Sequence, residues 1–337
     1  MRILLALFLL GGCLAANAQT ASPFSLNRII PLPSVAGKFD HLAVDTVNNR
    51  LFIAATTKHS VEVVDLKTDK NQQSISGLGK PHGLAWVAET ASLYVADGTR
   101  GELRVYKGSP LTMTGAIKLS DDADDMVYDE AHRLLFVGHG GSDASNPAKV
   151  AVVDTTSFTL SANIAVASHP EALDIDLKTG RVFVNVAESN EVVVIGTASK
   201  YIEARWKLTM AADNVPMAFD DEHNLLYVAC RTPGTLLALN ATTGKEVSSQ
   251  PTASGADDLF YDSTLHRVYV INGAGEVDSY QLDEQKNLHS LEVQHTASGA
   301  KTALFVPSQH MLYVAVPGAG TAPSEIRAYT TAVEKGK

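Results

Sequence analysis

The 337 residues contain two cysteines, Cys13 and Cys230. Only Cys230 remains if the first eighteen residues are removed, which excludes a disulfide-stapled scaffold and leaves stability to an apolar core. Basic charge is scarce: 27 Lys and Arg stand against 37 Asp and Glu, a net charge of -10 that becomes -11 once Arg2 is lost. That sign opposes nucleic acid and anionic membranes as partners. No stretch places apolar residues at helical spacing, and no apolar run is long enough for a membrane-spanning helix. Gly-x-Ser-x-Gly and His-Glu-x-x-His are both missing. Gly138-His139-Gly140-Gly141 is followed by no helical pattern, which excludes a phosphate loop.

The N-terminus reads as an export signal. Arg2 precedes an apolar core from Ile3 to Leu10, and Ala16-Asn17-Ala18 is a small-x-small cleavage site. This divides the chain into a signal peptide, 1–18, and one domain, 19–337, placed in the periplasm or outside the cell. Leu10-Gly11-Gly12-Cys13 offers an alternative, a lipoprotein box with Cys13 as the lipidated first residue.

The most informative feature is a repeat. HLAVDTVNNRLFIA, GLAWVAETASLYVA, DMVYDEAHRLLFVG, ALDIDLKTGRVFVN, PMAFDDEHNLLYVA, DLFYDSTLHRVYVI and TALFVPSQHMLYVA share an apolar strand, a polar turn and a second strand centred on an aromatic. The aromatics are Phe52, Tyr94, Phe136, Phe183, Tyr227, Tyr269 and Tyr313, separated by 42, 42, 47, 44, 42 and 44 residues. A β-rich segment follows each aromatic strand and a weaker fourth strand follows that. Short strands at this period predict an all-β, seven-bladed β-propeller. The last unit runs out after Ile326 to Tyr329, one strand short, whereas Asn27 to Leu32 is a lone strand before the first unit. The N-terminal strand is therefore expected to complete the last blade and close the ring.

The LYVA, VYVI and LFVG cores resemble the YVTN-repeat propellers of the YncE-like family over the whole mature chain. Phe39-Asp40-His41, His169-Pro170-Glu171, Ala256 to Asp262 and Leu312 to Pro317 resemble an exported subgroup of it. The resemblance implies an exported bacterial protein. The DNA binding linked to some members conflicts with the acidic charge of this chain.

In a propeller the first strands line a central channel, and their starts meet at one mouth. Twelve residues before each aromatic stand Asp40, His82, Asp124, Glu171, Val215, Asp257 and Lys301. One residue later stand His41, Gly83, Asp125, Ala172, Pro216, Asp258 and Thr302. Six carboxylates gathered with two imidazoles and a lysine need a cation, a shared proton or basic partners. Asp40, His82, Asp124, Glu171 and Asp257 form a candidate metal set, suited to Ca²⁺ by its oxygens and to Mn²⁺ or Zn²⁺ once the imidazole takes part. Asp40, His41, Asp125, Glu171 and Asp258 are the candidate acids and bases. His82, Asn214, Arg231 and Lys301 are candidate ligand contacts, the two cations suiting a carboxylate or phosphate. The same strand starts have a structural use too, accepting backbone N–H bonds from the next blade. Asp45, Asp129, Asp176, Asp220 and Asp262, at the ends of the first strands, are expected to cap the turns.

Two functions fit these residues. One is a monomeric binding or interaction propeller for a small molecule or an extracytoplasmic protein or polymer. The other is a metal-assisted hydrolase of the lactonase or phosphoesterase kind, by analogy of fold.

Overall fold

The computed structural model describes residues 23–141 and 143–331. The expected signal segment, its expected cleavage site after Ala18 and Cys13 lie outside them. Seven antiparallel sheets form a ring, six built from consecutive strands and the seventh from both ends of the described chain. Blade 1 runs through Leu42–Asp45, Arg50–Ala55, Ser60–Asp65 and Lys70–Ile75, innermost strand first. Blades 2 to 6 repeat this order from first strands at Pro81–Val87, Met126–Asp129, Pro170–Asp176, Ala212–Asp220 and Ala256–Asp262. Among the described residues the only helical elements are two single 3₁₀ turns, Ala88–Thr90 and Pro307–Gln309.

Blade 7 holds Thr302–Val306, Met311–Val316 and Ser324–Thr331, and its outer strand is Phe24–Leu32. The closing strand thus begins three residues earlier than its apolar pattern indicates. Phe24 extends it by burying its ring against Tyr269 of blade 6, centroids 4.9 Å apart.

Alternation along each strand explains the packing. Neighbouring blades press their faces together, and the core divides into seven apolar clusters, most of them spanning two blades. The seven repeat aromatics are all buried in these seams. Trp86 and Trp206 pack there too, against Phe52 and Phe183. The turn aspartates cap as expected: the Asn48, His132, Thr179, His223 and Leu265 N–H groups donate to Asp45, Asp129, Asp176, Asp220 and Asp262. Cys230 is fully buried and burial pushes its thiol up to about 12, so it is a core residue and not a reactive one.

Candidate functional site

One local device sets the channel mouth. At the first-strand starts of blades 1 to 6 two residues oppose one on the neighbouring strand. Asp40 N–H donates to Ala54 O, whereas Ala54 N–H donates to His41 O; Asp124, Asp125 and Gly138 repeat this arrangement. Register shifts mark the same bulge at Pro81/Leu84, Pro170/Leu173, Asn214/Met217 and Ala256/Asp258. Regular alternation would send one of two successive side chains to the channel and the other to the core. The bulge turns both to the channel. It requires close approach as well: a Cβ on Gly83 would lie 2.2 Å from the Asp124 carbonyl oxygen.

A cavity of about 500 Å³ occupies the mouth and the channel beneath it. Asp40, His41, His82, Asp124, Asp125, Glu171, Arg231, Asp257, Asp258 and Lys301 all line it, together with the apolar Val215 and Pro216 of blade 5. Within it Asp40, His82 and Asp124 form a tight group, one ligand atom of each lying within 4.8 Å of the others. His82 Nδ1 is 2.5 Å from Asp40 Oδ2 and 3.6 Å from Asp124 Oδ1. This set of one nitrogen and two carboxylates suits a divalent cation. With a cation on Nδ1 the ring proton moves to Nε2, a buried atom with no hydrogen-bond partner here, 4.0 Å from Asp122 Oδ1.

Glu171 and Asp257 share the cavity but stand outside this group, so three of the five candidate ligands meet. Asp257 is held on the opposite wall by Arg231 Nη2 and by Lys301 Nζ at 2.5 Å, and Arg231 Nε also donates to Ala256 O. Asn214 does not reach the cavity. The bulge turns Val215 and Pro216 outward and leaves Asn214 inside, donating to Asn185 Oδ1 and Glu191 O. Arg231, at the end of the second strand of blade 5, lines the cavity. His139, Asp97 and Asn272 are buried and spent on local hydrogen bonds.

The position after the bulge does the ring-locking. Asp125 accepts the Leu173 N–H of blade 4, and Asp258 accepts the Ala303 N–H of blade 7. Asp174, further down the channel, accepts the Phe219 N–H of blade 5. Asp125 and Asp258 each keep the other oxygen facing His41, so the two readings of these acids coexist.

Charge at the mouth is balanced by imidazoles. Burial disfavours the charged form of His41, but Asp125, Asp258, Asp40 and Asp124 outweigh it and lift its pKa to about 10. Its Nδ1 is 3.5 Å from Asp258 and its Nε2 is 3.7 Å from Asp40. Burial raises Asp258 to about 8 and raises Asp125 and Glu171 as well. Asp124 is the exception. Burial is overcome there by a hydrogen bond from His169 and by the charges of His82, His41 and His169, which hold it near 2.

His169 was invisible to the repeat count, because it stands two residues before the counted position, Glu171. Its Nδ1–H donates to Gly140 O at 2.7 Å, and its Nε2 reaches Asp124 Oδ2 at 3.3 Å. Despite burial, Asp124 lifts its pKa to about 9. Asp174 was missed as well. The alternation of acids in Leu173-Asp174-Ile175-Asp176 is the signal that points it to the channel.

Asp174 gives a pH prediction. Burial raises its pKa to about 6, against the N–H groups of Ile175 and Phe219. Between about pH 4 and 6 the folded state keeps a proton that the unfolded chain releases, so this contribution to stability falls as pH rises through 6. The rise corresponds to at most about 3 kcal/mol, and water in the channel reduces it. Asp174→Asn should match the parent near pH 4 and melt higher near pH 7. A melting difference that is constant with pH would refute this.

No family model matches this chain, and no curated protein matches it. Solved structures do match in fold. A chain of the crystal structure of the Mitotic Checkpoint Complex superposes with a TM-score of 0.76 at 13% identity, covering 98% of each chain. Kuenenia stuttgartiensis hydrazine synthase gives 0.75 at 15% identity over 87% of this chain and 96% of that one. The RRP9 WD40 repeats give 0.76 at 11% over 90% and 97%. At these identities the likeness is one of architecture, and it makes this chain a seven-bladed propeller with WD40-like structural neighbours.

Proposed function

We propose that this chain is an exported, YncE-like binding propeller that takes a small polar ligand at the channel mouth, on a divalent cation held by Asp40, His82 and Asp124. The observation that carries the reading is the convergence of ten ionisable side chains from all seven blades on one cavity, with three of them in mutual ligand reach. The cavity has two unlike walls. The acid and imidazole wall of blades 1 to 3 suits the cation, and the Arg231–Asp257–Lys301 wall suits an anionic group of the ligand. Blade 5 offers Val215 and Pro216 between them, the one break in the charged ring and the natural place for an apolar portion. Export rests on the N-terminal pattern, and family on the YVTN-like cores.

Glu171 favours a second reading, metal-assisted hydrolysis of a lactone or phosphoester. It is a carboxylate in the same cavity whose pKa is raised by burial, which is what a general base requires.

Elemental analysis of untagged mature protein, after equilibration with Ca²⁺, Mn²⁺ or Zn²⁺, tests the cation. Bound metal and a fall in melting temperature on the order of 5 °C with EDTA are expected. No metal and no shift would remove it. Turnover on a panel of lactones and phosphoesters, lost in Glu171→Gln, would decide for the hydrolase.

A further inference from the structure

We infer that the opposite face of the ring carries a second metal site, built by Glu222 and His223 of blade 5 with His266 of blade 6, and that its ion is Zn²⁺. One ligand atom of each lies within 4.8 Å of the others. The site is distant in kind from the channel mouth: its residues sit in the hairpins between first and second strands, the far ends of the strands whose starts form the mouth.

The hairpins hold these side chains firmly. His266 takes a left-handed backbone conformation, φ 50°, at the turn position where Asn49 and Asn224 stand in blades 1 and 5. Gln281 Nε2 fixes the turn by donating to the Leu265 and His266 carbonyls. Lys286 Nζ donates to His223 O at 2.9 Å and so ties the blade 5 hairpin to the end of blade 6. Placement of His223 and His266 side by side is thus a property of the fold, and their rings stand 5.4 Å apart, edge to face.

The surroundings are those of a ligating set. Asp220 Oδ2 lies 2.8 Å from His223 Nδ1. A carboxylate there fixes the ring plane and the tautomer, leaving the Nε2 lone pair for a metal. The Tyr261 hydroxyl lies between the rings, 3.2 Å from His266 Nδ1 and 3.4 Å from His223 Nδ1. That hydroxyl is placed to hydrogen-bond a water on the metal. His266 Nδ1 is 3.6 Å from Glu222 Oε2, an ion-pair distance that a cation between them would shorten into two coordinate bonds. All three ligands are solvent-accessible, with side-chain exposures of 56% for Glu222, 42% for His266 and 23% for His223, so an ion can enter.

Two imidazoles and one carboxylate with an open position are a borderline donor set. It favours Zn²⁺ over Mn²⁺ and Ca²⁺. An ion there would also clip blade 5 to blade 6 through side chains that the backbone ladder does not join.

The test uses untagged mature protein carrying Asp124→Asn, which disables the mouth and isolates the second site. Calorimetric titration should find one Zn²⁺ per chain, with Mn²⁺ at least tenfold weaker. Co²⁺ in its place should show the visible absorption of a four-coordinate centre. Adding His266→Asn, which suits the left-handed backbone, should abolish that Zn²⁺, and adding Asp220→Asn should weaken it about 10–100-fold. Circular dichroism and metal-free melting show that each variant is folded. The proposal fails if Asp124→Asn takes up no Zn²⁺, or if His266→Asn leaves its uptake unchanged. Because the mouth is already disabled, neither result depends on the reading of the mouth.

Discussion

Replacing Asp124 by Asn should weaken Mn²⁺ binding at the channel mouth at least about 100-fold, which corresponds to roughly 2.7 kcal/mol. Asp124 is the residue on which the mouth converges. Its carboxylate faces His82 Nδ1 at 3.6 Å, His169 Nε2 at 3.3 Å and His41 Nε2 at 4.0 Å. Held near pKa 2, it is ionised at every working pH and supplies a full negative charge to the site. The amide keeps the shape and removes that charge, so a cation loses one anionic ligand and the surrounding imidazoles lose one of the carboxylates that offset them. Asp174→Asn serves as the control. It neutralises an acid of the same cavity that lies outside the ligand group, and it should change the affinity no more than about threefold. Gly83→Ala should mimic Asp124→Asn without touching any charge. Its Cβ would push on the Asp124 carbonyl and displace the ligand. Calorimetry of Mn²⁺ binding checks all three, and an Asp124→Asn protein that binds as tightly as the parent would show that the mouth is not a cation site.

The architecture was legible because the repeat constrains it seven times over. Any one hairpin, such as Val44 to Phe52, fits many folds, but seven aromatics at spacings of 42 to 47 residues fit a ring of blades. The mouth was legible for the same reason: counting back from a buried aromatic along a strand is a measurement of position. It placed Asp40, His82, Asp124, Glu171, Asp257 and Lys301 correctly in one cavity. The count fails where the chain departs from the period. Asn214 was one residue away from the mouth, and a bulge decides sharply between inside and outside. His169 sits before its strand, brought in by the Gly140 carbonyl and not by any ladder. Pairing was not legible either. Arg231 and Lys301 are far apart in sequence, and only the closed ring brings both onto Asp257. The cluster of Glu222, His223 and His266 escaped for another reason, since turn residues look like solvated surface until two neighbouring turns are seen together.

Deleting residues 24–32 should remove more stability than any other change proposed for this chain, with loss of cooperative melting or a fall beyond about 15 °C. The strand is the outer member of blade 7 and pairs along its length with Ser324–Thr331. It is also anchored sideways in both directions. Phe24 packs on Tyr269 of blade 6, whereas Ile30 and Leu32 enter the cluster that holds Leu51, Ile53 and Val64 of blade 1. Arg28 Nε reaches Asp69 of blade 1 at 3.3 Å. Burying Phe24, Ile30 and Leu32 contributes about 1.5–3 kcal/mol each, together a large share of the 5–15 kcal/mol typical of a folded domain. Without the strand, Ser324–Thr331 becomes an open edge with unpaired backbone groups, and the ring is no longer closed by its own two ends. Single substitutions separate packing from mere presence of the strand. Ile30, fully buried, should cost about 2–5 kcal/mol as Ile30→Ala. Its neighbour Ile29, 46% exposed on the other side of the same strand, should cost under about 0.5 kcal/mol as Ile29→Ala. Urea unfolding of the three proteins checks this, and equal midpoints for the deletion and the parent would mean that the ring closes by some other contact.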